Sequence, residues 1–310
     1  MSKLVPGMAV LRKVLTDLER RHPGRASQYL TQAQYESEKW AAHFGLPSEE
    51  YERTRSGWCA AYAFPNASAS MTQVAADFIG WLFTYDDNCE RHGPTAMFES
   101  ASTINRLLDT GELSERPNEF QLALHDIRCR FLDLGGAQFV VTVADSMQKY
   151  QSGLVFEIPY RLAGIPPTLL AYERIRPWSI AGDLVLDMLE LECGVRVRDQ
   201  SKSLRDLAIW INTCIHDLHS YPKEAAAGDP INLVAVVAAD REVSVDIAVQ
   251  LVADECEVLL SSLESQCLPD GDSDGSSADL FGPALVDLTR GMLSYGLTCE
   301  RYIRQKHRQT

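Results

Sequence analysis

Apolar residues recur at intervals of three and four along almost the whole chain, and period-two alternation is scarce. That pattern predicts helices and leaves little room for a sheet. The clearest case is Met71, Val74, Phe78, Ile79, Leu82 and Phe83, introduced by the cap-forming residues Asn66, Ser68 and Ser70. Further helices are predicted over 121–156, 203–224, 243–265 and from Pro283 to the C-terminus. Turn signals at Arg91–Pro94, Gly164–Pro167 and Gly228–Pro230 separate these stretches, and the polar segment 269–277 reads as a mobile loop. No linker divides the chain and no repeat is visible, so one all-α domain over 1–310 is expected.

Hydrophobic residues make up 45% of the 310 positions, enough for a sizeable core, and the net charge is −14. The acidic balance argues against nucleic acid or an anionic membrane surface as the main partner, because both attract basic patches. The eight cysteines are scattered, with no CxxC pair, and read as buried thiols of a reducing compartment. No apolar run reaches the length of a membrane span, and a soluble cytoplasmic protein is expected.

Two acidic motifs carry the chemistry. Asp86, Asp87 and Glu90 fall at the end of the most apolar helix, with Asp86 and Glu90 four apart on one face. Crowded carboxylates repel unless a cation compensates, and hard oxygen ligands suit Mg²⁺. Alone, such a cluster is more often a solvated helix end. The second motif places His216, Ser220 and Glu224 at i, i+4 and i+8, so one helical stripe offers an imidazole, a hydroxyl and a carboxylate. Lys223 adjoins it, His219 reads as solvent-facing, and Pro222 is expected to kink this helix.

Together these motifs resemble the bacterial class I terpene synthases. Asp86, Asp87 and Glu90 match that family's DDxx(x)D/E motif, and Asp217, Ser220, Lys223 and Glu224 match its NDxxSxx(K/R)E motif. Phe156-Glu157, Arg161, Gly164, Pro167, Tyr172 and Arg176 track its WExxNRxxGxxPxxxxYxxxR stretch, with Phe156 for Trp and Tyr160 for Asn. Arg301-Tyr302 matches its C-terminal RY pair, and Trp40 and Phe64-Pro65 fit its N-terminal pattern, so the resemblance covers nearly the whole chain.

The resemblance implies a helical bundle around a central cavity and a metal-dependent cyclase acting on a prenyl diphosphate, farnesyl diphosphate ahead of geranylgeranyl diphosphate. It implies Mg²⁺, as three ions, with Mn²⁺ as a substitute, held by Asp86, Asp87, Glu90, His216, Ser220 and Glu224. Arg176, Lys223, Arg301 and Tyr302 would grip diphosphate, with Arg176 as sensor and Ser179 and Ile180 near the linker and effector positions. Phe78, Phe83, Trp210 and Tyr295 are the aromatic candidates for the cavity, and ordinary core packing is as good a reading of each. Arg174, Arg196 and Arg198 are alternative phosphate grips, although exposed helix arginines are the safer reading. A homodimer is compatible with the family.

The main departure is His216, which stands where the family has Asn and brings a nitrogen ligand better suited to Mn²⁺ or Zn²⁺ than to Mg²⁺. That leaves two rivals: a chain-elongating prenyltransferase, which the second motif disfavours, and a non-catalytic prenyl-diphosphate-binding homologue.

Overall fold

The computed structural model describes residues 7–195, 202–268 and 278–303, and among these all regular structure is helical. Helices α1 (Met8–Arg21), α2 (Leu30–Phe44), α3 (Ser48–Thr54) and α4 (Ser56–Ala63) lead into two long ones, α5 (Ala69–Thr110) and α6 (Glu119–Ala163). There follow α7 (Leu169–Ser179), α8 (Gly182–Cys193), α9 (Lys202–Ala227), α10 (Leu233–Asp240), α11 (Val245–Cys267), α12 (Ala278–Thr298) and α13 (Glu300–Ile303). Arg196, Arg198 and the segment 269–277 lie outside the described residues.

The start of α5 follows the predicted cap, with the Ser68 hydroxyl accepting from the Met71 N–H at 3.2 Å. Its apolar stripe (Met71, Val74, Phe78, Trp81, Tyr85) is buried against α6. Trp81 is fully covered, donates from Nε1 to Phe120 O at 2.9 Å, and stacks on Tyr85 at 4.8 Å. Phe78 meets the edge of Phe131, which meets the edge of Phe139, both at 5.2 Å. This aromatic seam fixes the register of α5 on α6.

The turn expected at Arg91–Pro94 is instead a kink inside α5. Gly93 adopts φ 80°, ψ −179°, a region open to glycine alone, so the helix axis breaks there and resumes. The other two turn signals are real, since Gly164 ends α6 and Gly228 follows α9. Pro222 does not break α9, which runs continuously from Lys202 to Ala227.

Two polar features complete the packing. Buried Arg205 of α9 reaches Asp183 (3.3 Å), Asp187 (3.0 Å) and Glu190, all on α8, so one guanidinium ties these helices together. None of the eight cysteines forms a disulfide, and five are buried as expected, whereas Cys193 and Cys267 are half-buried and Cys129 is exposed. No described helix is long and apolar enough to cross a membrane.

Gly291 sets how close α12 comes to α4, because a Cβ there would lie 1.9 Å from Tyr62 O. Gly291→Ala must push the two helices apart, and urea unfolding should show a loss of about 1–3 kcal/mol. An unchanged midpoint would contradict this packing.

Candidate active site

Seven segments converge on one cavity: α4, the end of the first half of α5, the C-terminal half of α6, the α7–α8 junction, the second half of α9, α12 at Met292, and α13. The cavity encloses about 180 Å³. It adjoins a cleft of about 420 Å³ bordered by Gly93, Met97, Ile158 and Pro230, so the α5 kink lies at that cleft. Asp86, Arg161 and Asp229 border both.

On α5, Asp86 accepts a hydrogen bond from Tyr150 Oη of α6 at 2.6 Å. Asp87 is gripped on both oxygens by Arg301 of α13, with Nη2 at 2.8 Å from Oδ1, and Lys223 of α9 stands 3.4 Å from the same oxygen. Burial pushes the Asp87 carboxyl up, but the Arg301 and Lys223 charges more than reverse this and leave it below the usual carboxylate range. The Arg301 guanidinium also stands 5.1 Å from the centre of the Phe83 ring. Glu90 lies on the helix, but its side chain is outside what the structure describes.

Across the cavity, His216, Ser220 and Glu224 present one stripe of α9, as their spacing predicts. The residue that organises this side is Asp217. Its Oδ1 accepts from Arg176 Nη2 at 2.8 Å and lies 3.0 Å from His216 Nδ1. Its Oδ2 accepts the Leu233 backbone N–H at 2.7 Å and the Tyr172 hydroxyl. Burial alone would raise the Asp217 pKa, and the Arg176 and His216 charges overcome it and hold the carboxyl well below its usual range. The Arg176 guanidinium also faces Glu157 of α6 at 3.6 Å, and Ser179 donates to that glutamate.

Asn232 joins the stripe to α10. Its Oδ1 accepts the Val234 N–H at 2.9 Å as a helix cap, and Nδ2 donates to Glu224 Oε2 at 2.7 Å and to Asp217 O at 2.9 Å. Burial and the nearby Asp217 charge raise the Glu224 pKa, against the opposing pull of His216, Arg176 and Asn232. Its negative charge is therefore under-compensated, the condition a bound cation relieves.

That observation tests the fit of a divalent metal. The donors bordering the cavity are the carboxylates Asp86 and Glu224, the Ser220 hydroxyl and the His216 imidazole, a set compatible with Mg²⁺ or Mn²⁺. His216 Nδ1 is already engaged by Asp217 and by Arg176 Nη2 at 3.2 Å, which leaves Nε2 as the nitrogen for a metal. Among the described residues no group of three or more His, Cys, Asp or Glu is gathered to hold an ion by itself. The residues fit an ion that takes its remaining ligands from the phosphate oxygens of a substrate.

Several expectations are corrected by these contacts. His219 is buried, donates from Nε2 toward Leu293 O at 3.2 Å and stacks on Tyr302 at 6.0 Å. Burial pushes its pKa down to about 3, against the pull of the Leu293 carbonyl, so the ring is neutral. Of the four aromatic candidates Phe83 lines the cavity, while Phe78, Trp210 and Tyr295 do not. Phe78 belongs to the α5–α6 seam, and Trp210 donates to Glu255 at 2.8 Å. Tyr295 is buried with its hydroxyl donating to Thr54 O. Ser179, Ile180, Arg176, Lys223, Arg301 and Tyr302 all border the cavity. Arg174 is exposed.

Sequence reasoning did not single out Tyr150, Asn232 or the hub role of Asp217. Asn232 carried a signal, since an Asn just before the apolar run 233–238 marks a helix start. Tyr150 carried none, because its meeting with Asp86 is purely tertiary.

Comparison with known proteins identifies the family. A family model described as "Terpene synthase family 2, C-terminal metal binding" matches residues 77–261. The (+)-T-muurolol synthase of Roseiflexus castenholzii is 27% identical over 233 residues, covering 69% of this chain and 70% of the relative. The 4-epi-cubebol synthase of Streptosporangium roseum is 25% identical over 304 residues, covering 90% and 89%. Among solved structures, the ancestrally reconstructed SVS_A2 protein superposes with a TM-score of 0.76 at 22% identity, covering 89% of this chain and 88% of the other. The linalool/nerolidol synthase of Streptomyces clavuligerus does so with a TM-score of 0.74 at 20% identity, covering 88% and 100%. The chain belongs to the bacterial class I terpene synthase family and is a terpene cyclase of the all-α fold.

Proposed function

We infer that the protein ionises farnesyl diphosphate with the help of Mg²⁺ and closes the resulting cation into a cyclic terpene, releasing diphosphate. The observation that carries this reading is the arrangement of Asp86 with the Ser220–Glu224 stripe at the charged end of an otherwise apolar cavity. The names of two relatives specify (2E,6E)-farnesyl diphosphate cyclisation, which favours a C15 substrate over C20. We take 1–310 as one catalytic domain, since helices α1 to α12 contribute to a single core.

Asp86, Ser220, Glu224 and His216 would hold the metal, and Glu90 belongs to the same motif. When bound, the metal supplies positive charge to the departing diphosphate oxygens. Arg176, Lys223, Arg301 and the Tyr302 hydroxyl add charge-assisted hydrogen bonds to the same group. Asp87 keeps Arg301 and Lys223 poised beside the mouth until an anion competes for them. Asp217 and Glu157 hold the Arg176 guanidinium in place from two sides. Ile79, Leu82, Val185 and Met292 line the interior with apolar surface that disfavours water, and the Phe83 ring, which the Arg301 guanidinium approaches to 5.1 Å, adds an aromatic wall.

Incubation with C10, C15 and C20 diphosphates and Mg²⁺, followed by mass spectrometry and diphosphate assay, tests the reading. The expected result is a cyclic C15 product with stoichiometric diphosphate. A longer diphosphate made from isopentenyl diphosphate would convert the assignment to a prenyltransferase, and no release from any substrate would convert it to a binding homologue. Chelation with EDTA should abolish turnover, and Mg²⁺ or Mn²⁺ should restore it.

Two variants probe the α9 side. Asp217→Asn should destabilise the fold by about 3–5 kcal/mol in thermal or urea unfolding, because it leaves buried Arg176 without its partner charge. It should also lower kcat, whereas unchanged stability would disprove the hub. His216→Asn should leave kcat/KM with Mg²⁺ unchanged or raised, and complete loss would show that the imidazole has a role of its own.

A further inference from the structure

The stripe of α9 that carries Glu224, Ser220 and His216 continues one turn further to Asn212, whose side chain lines the same cavity. At the helical rise, Asn212 stands about 6 Å beyond His216 on the side away from Glu224. Ile209, less than a turn before it, packs against Gly182 at the start of α8, which also lines the cavity. The walls contributed by this junction are apolar: Ile180, Ala181, Gly182 and Val185. A neutral amide therefore sits beyond the metal stripe, on the wall of the chamber where the carbocation would be held.

Its bonding state is unusual. Asn212 Oδ1 is covered and has no hydrogen-bond partner among the described residues. Elsewhere on the cavity wall the charged side chains are held by ion pairs, Glu157 Oε2 with Arg161 at 3.2 Å and Arg176 with Asp217 at 2.8 Å. Buried polar atoms are nearly always paired, with ordered water as the usual partner when protein supplies none. The amide oxygen and nitrogen are almost the same size, so a half-turn about χ2 lets Asn212 present either an acceptor or a donor to the cavity.

We propose that Asn212 positions a water molecule in the cyclisation chamber, and that this water captures the carbocation to give a terpene alcohol. A lone pair of the water oxygen forms the new C–O bond to the cationic carbon. One O–H bond of that oxygen then breaks, and its proton passes to the released diphosphate, which is far more basic than an amide. The overall balance is prenyl diphosphate plus water giving alcohol plus protonated diphosphate. Asn212 is a positioning residue in this scheme, contributing hydrogen bonds and no proton. The inference rests on the cyclase reading, and diphosphate release separates the two: without release the cyclase reading itself fails.

The experiment is turnover of farnesyl diphosphate in H₂¹⁸O, with alcohol and hydrocarbon products counted per diphosphate released. The wild-type protein is expected to give a cyclic alcohol carrying ¹⁸O as a main product. In Asn212→Leu, which keeps the volume and removes the polar atoms, the ratio of alcohol to hydrocarbon should fall at least tenfold. Asn212→Ser, which restores a hydroxyl, should recover part of it. Release of diphosphate with only unlabelled hydrocarbon from the wild type would overturn the proposal without any variant. An undiminished labelled alcohol from Asn212→Leu would also overturn it.

Discussion

The buried pair between Arg176 and Asp217 is the interaction on which the site depends. Both side chains are almost wholly withdrawn from water, a costly arrangement unless every polar atom is matched. The Asp217 carboxylate meets that demand with Arg176, the Tyr172 hydroxyl, the Leu233 N–H and the nearby His216 ring. Those contacts tie α7, α9 and the start of α10 together in one step. They also set the rotation of α9, and hence which way His216, Ser220 and Glu224 face. The catalytic stripe is thus aimed by a residue that lies beside it.

The charge distribution resolves an apparent conflict. A chain with net charge −14 is a poor candidate to hold a diphosphate when judged by its total. Around the cavity Arg161, Arg176, Lys223 and Arg301 stand against Asp86, Glu157, Glu224 and Asp229, and the paired Asp87 and Asp217 leave the local sum negative before any metal enters. Asp87 serves as counter-ion to Arg301 and Lys223. An anion that displaces it gains two preplaced cations whose cost of burial the fold has already met. The acidic surplus at the site itself is small, and bound metal ions would reverse it.

What the sequence made legible follows from the range of the forces involved. Helix type and the α9 stripe are set by local periodicity, and Met71 to Phe83 and His216 to Glu224 behaved as their spacing required. The kink at Gly93 was read as a turn because glycine and proline mark any break in a helix without saying whether the chain turns back. Phe78, Trp210 and Tyr295 were plausible cavity rings by position, but the partners that claim them lie on other helices, at Phe131, Glu255 and Thr54. Tyr150 and Asn232 belong to the same class: their importance comes from Asp86 and Glu224, which only the fold brings near. The membership of the site was largely visible in the sequence, and its internal wiring was not.

His216 is the point where these strands meet. Read in sequence, it weakens the second metal motif by substituting a nitrogen for an amide oxygen. In the structure its Nδ1 lies within hydrogen-bonding reach of Arg176 and Asp217, so the ring is part of the hub that orients the stripe. An imidazole there can face the hub with one nitrogen and the cavity with the other, which a smaller amide cannot do across the same width. Ser220 and Glu224 are also held by Asn232, and Ser220 Oγ lies 3.4 Å from His216 Nδ1 as well. Glu224 therefore has an anchor that does not involve residue 216, while Ser220 shares one of its contacts with the histidine. The histidine changes the character of one ligand and also helps to place another.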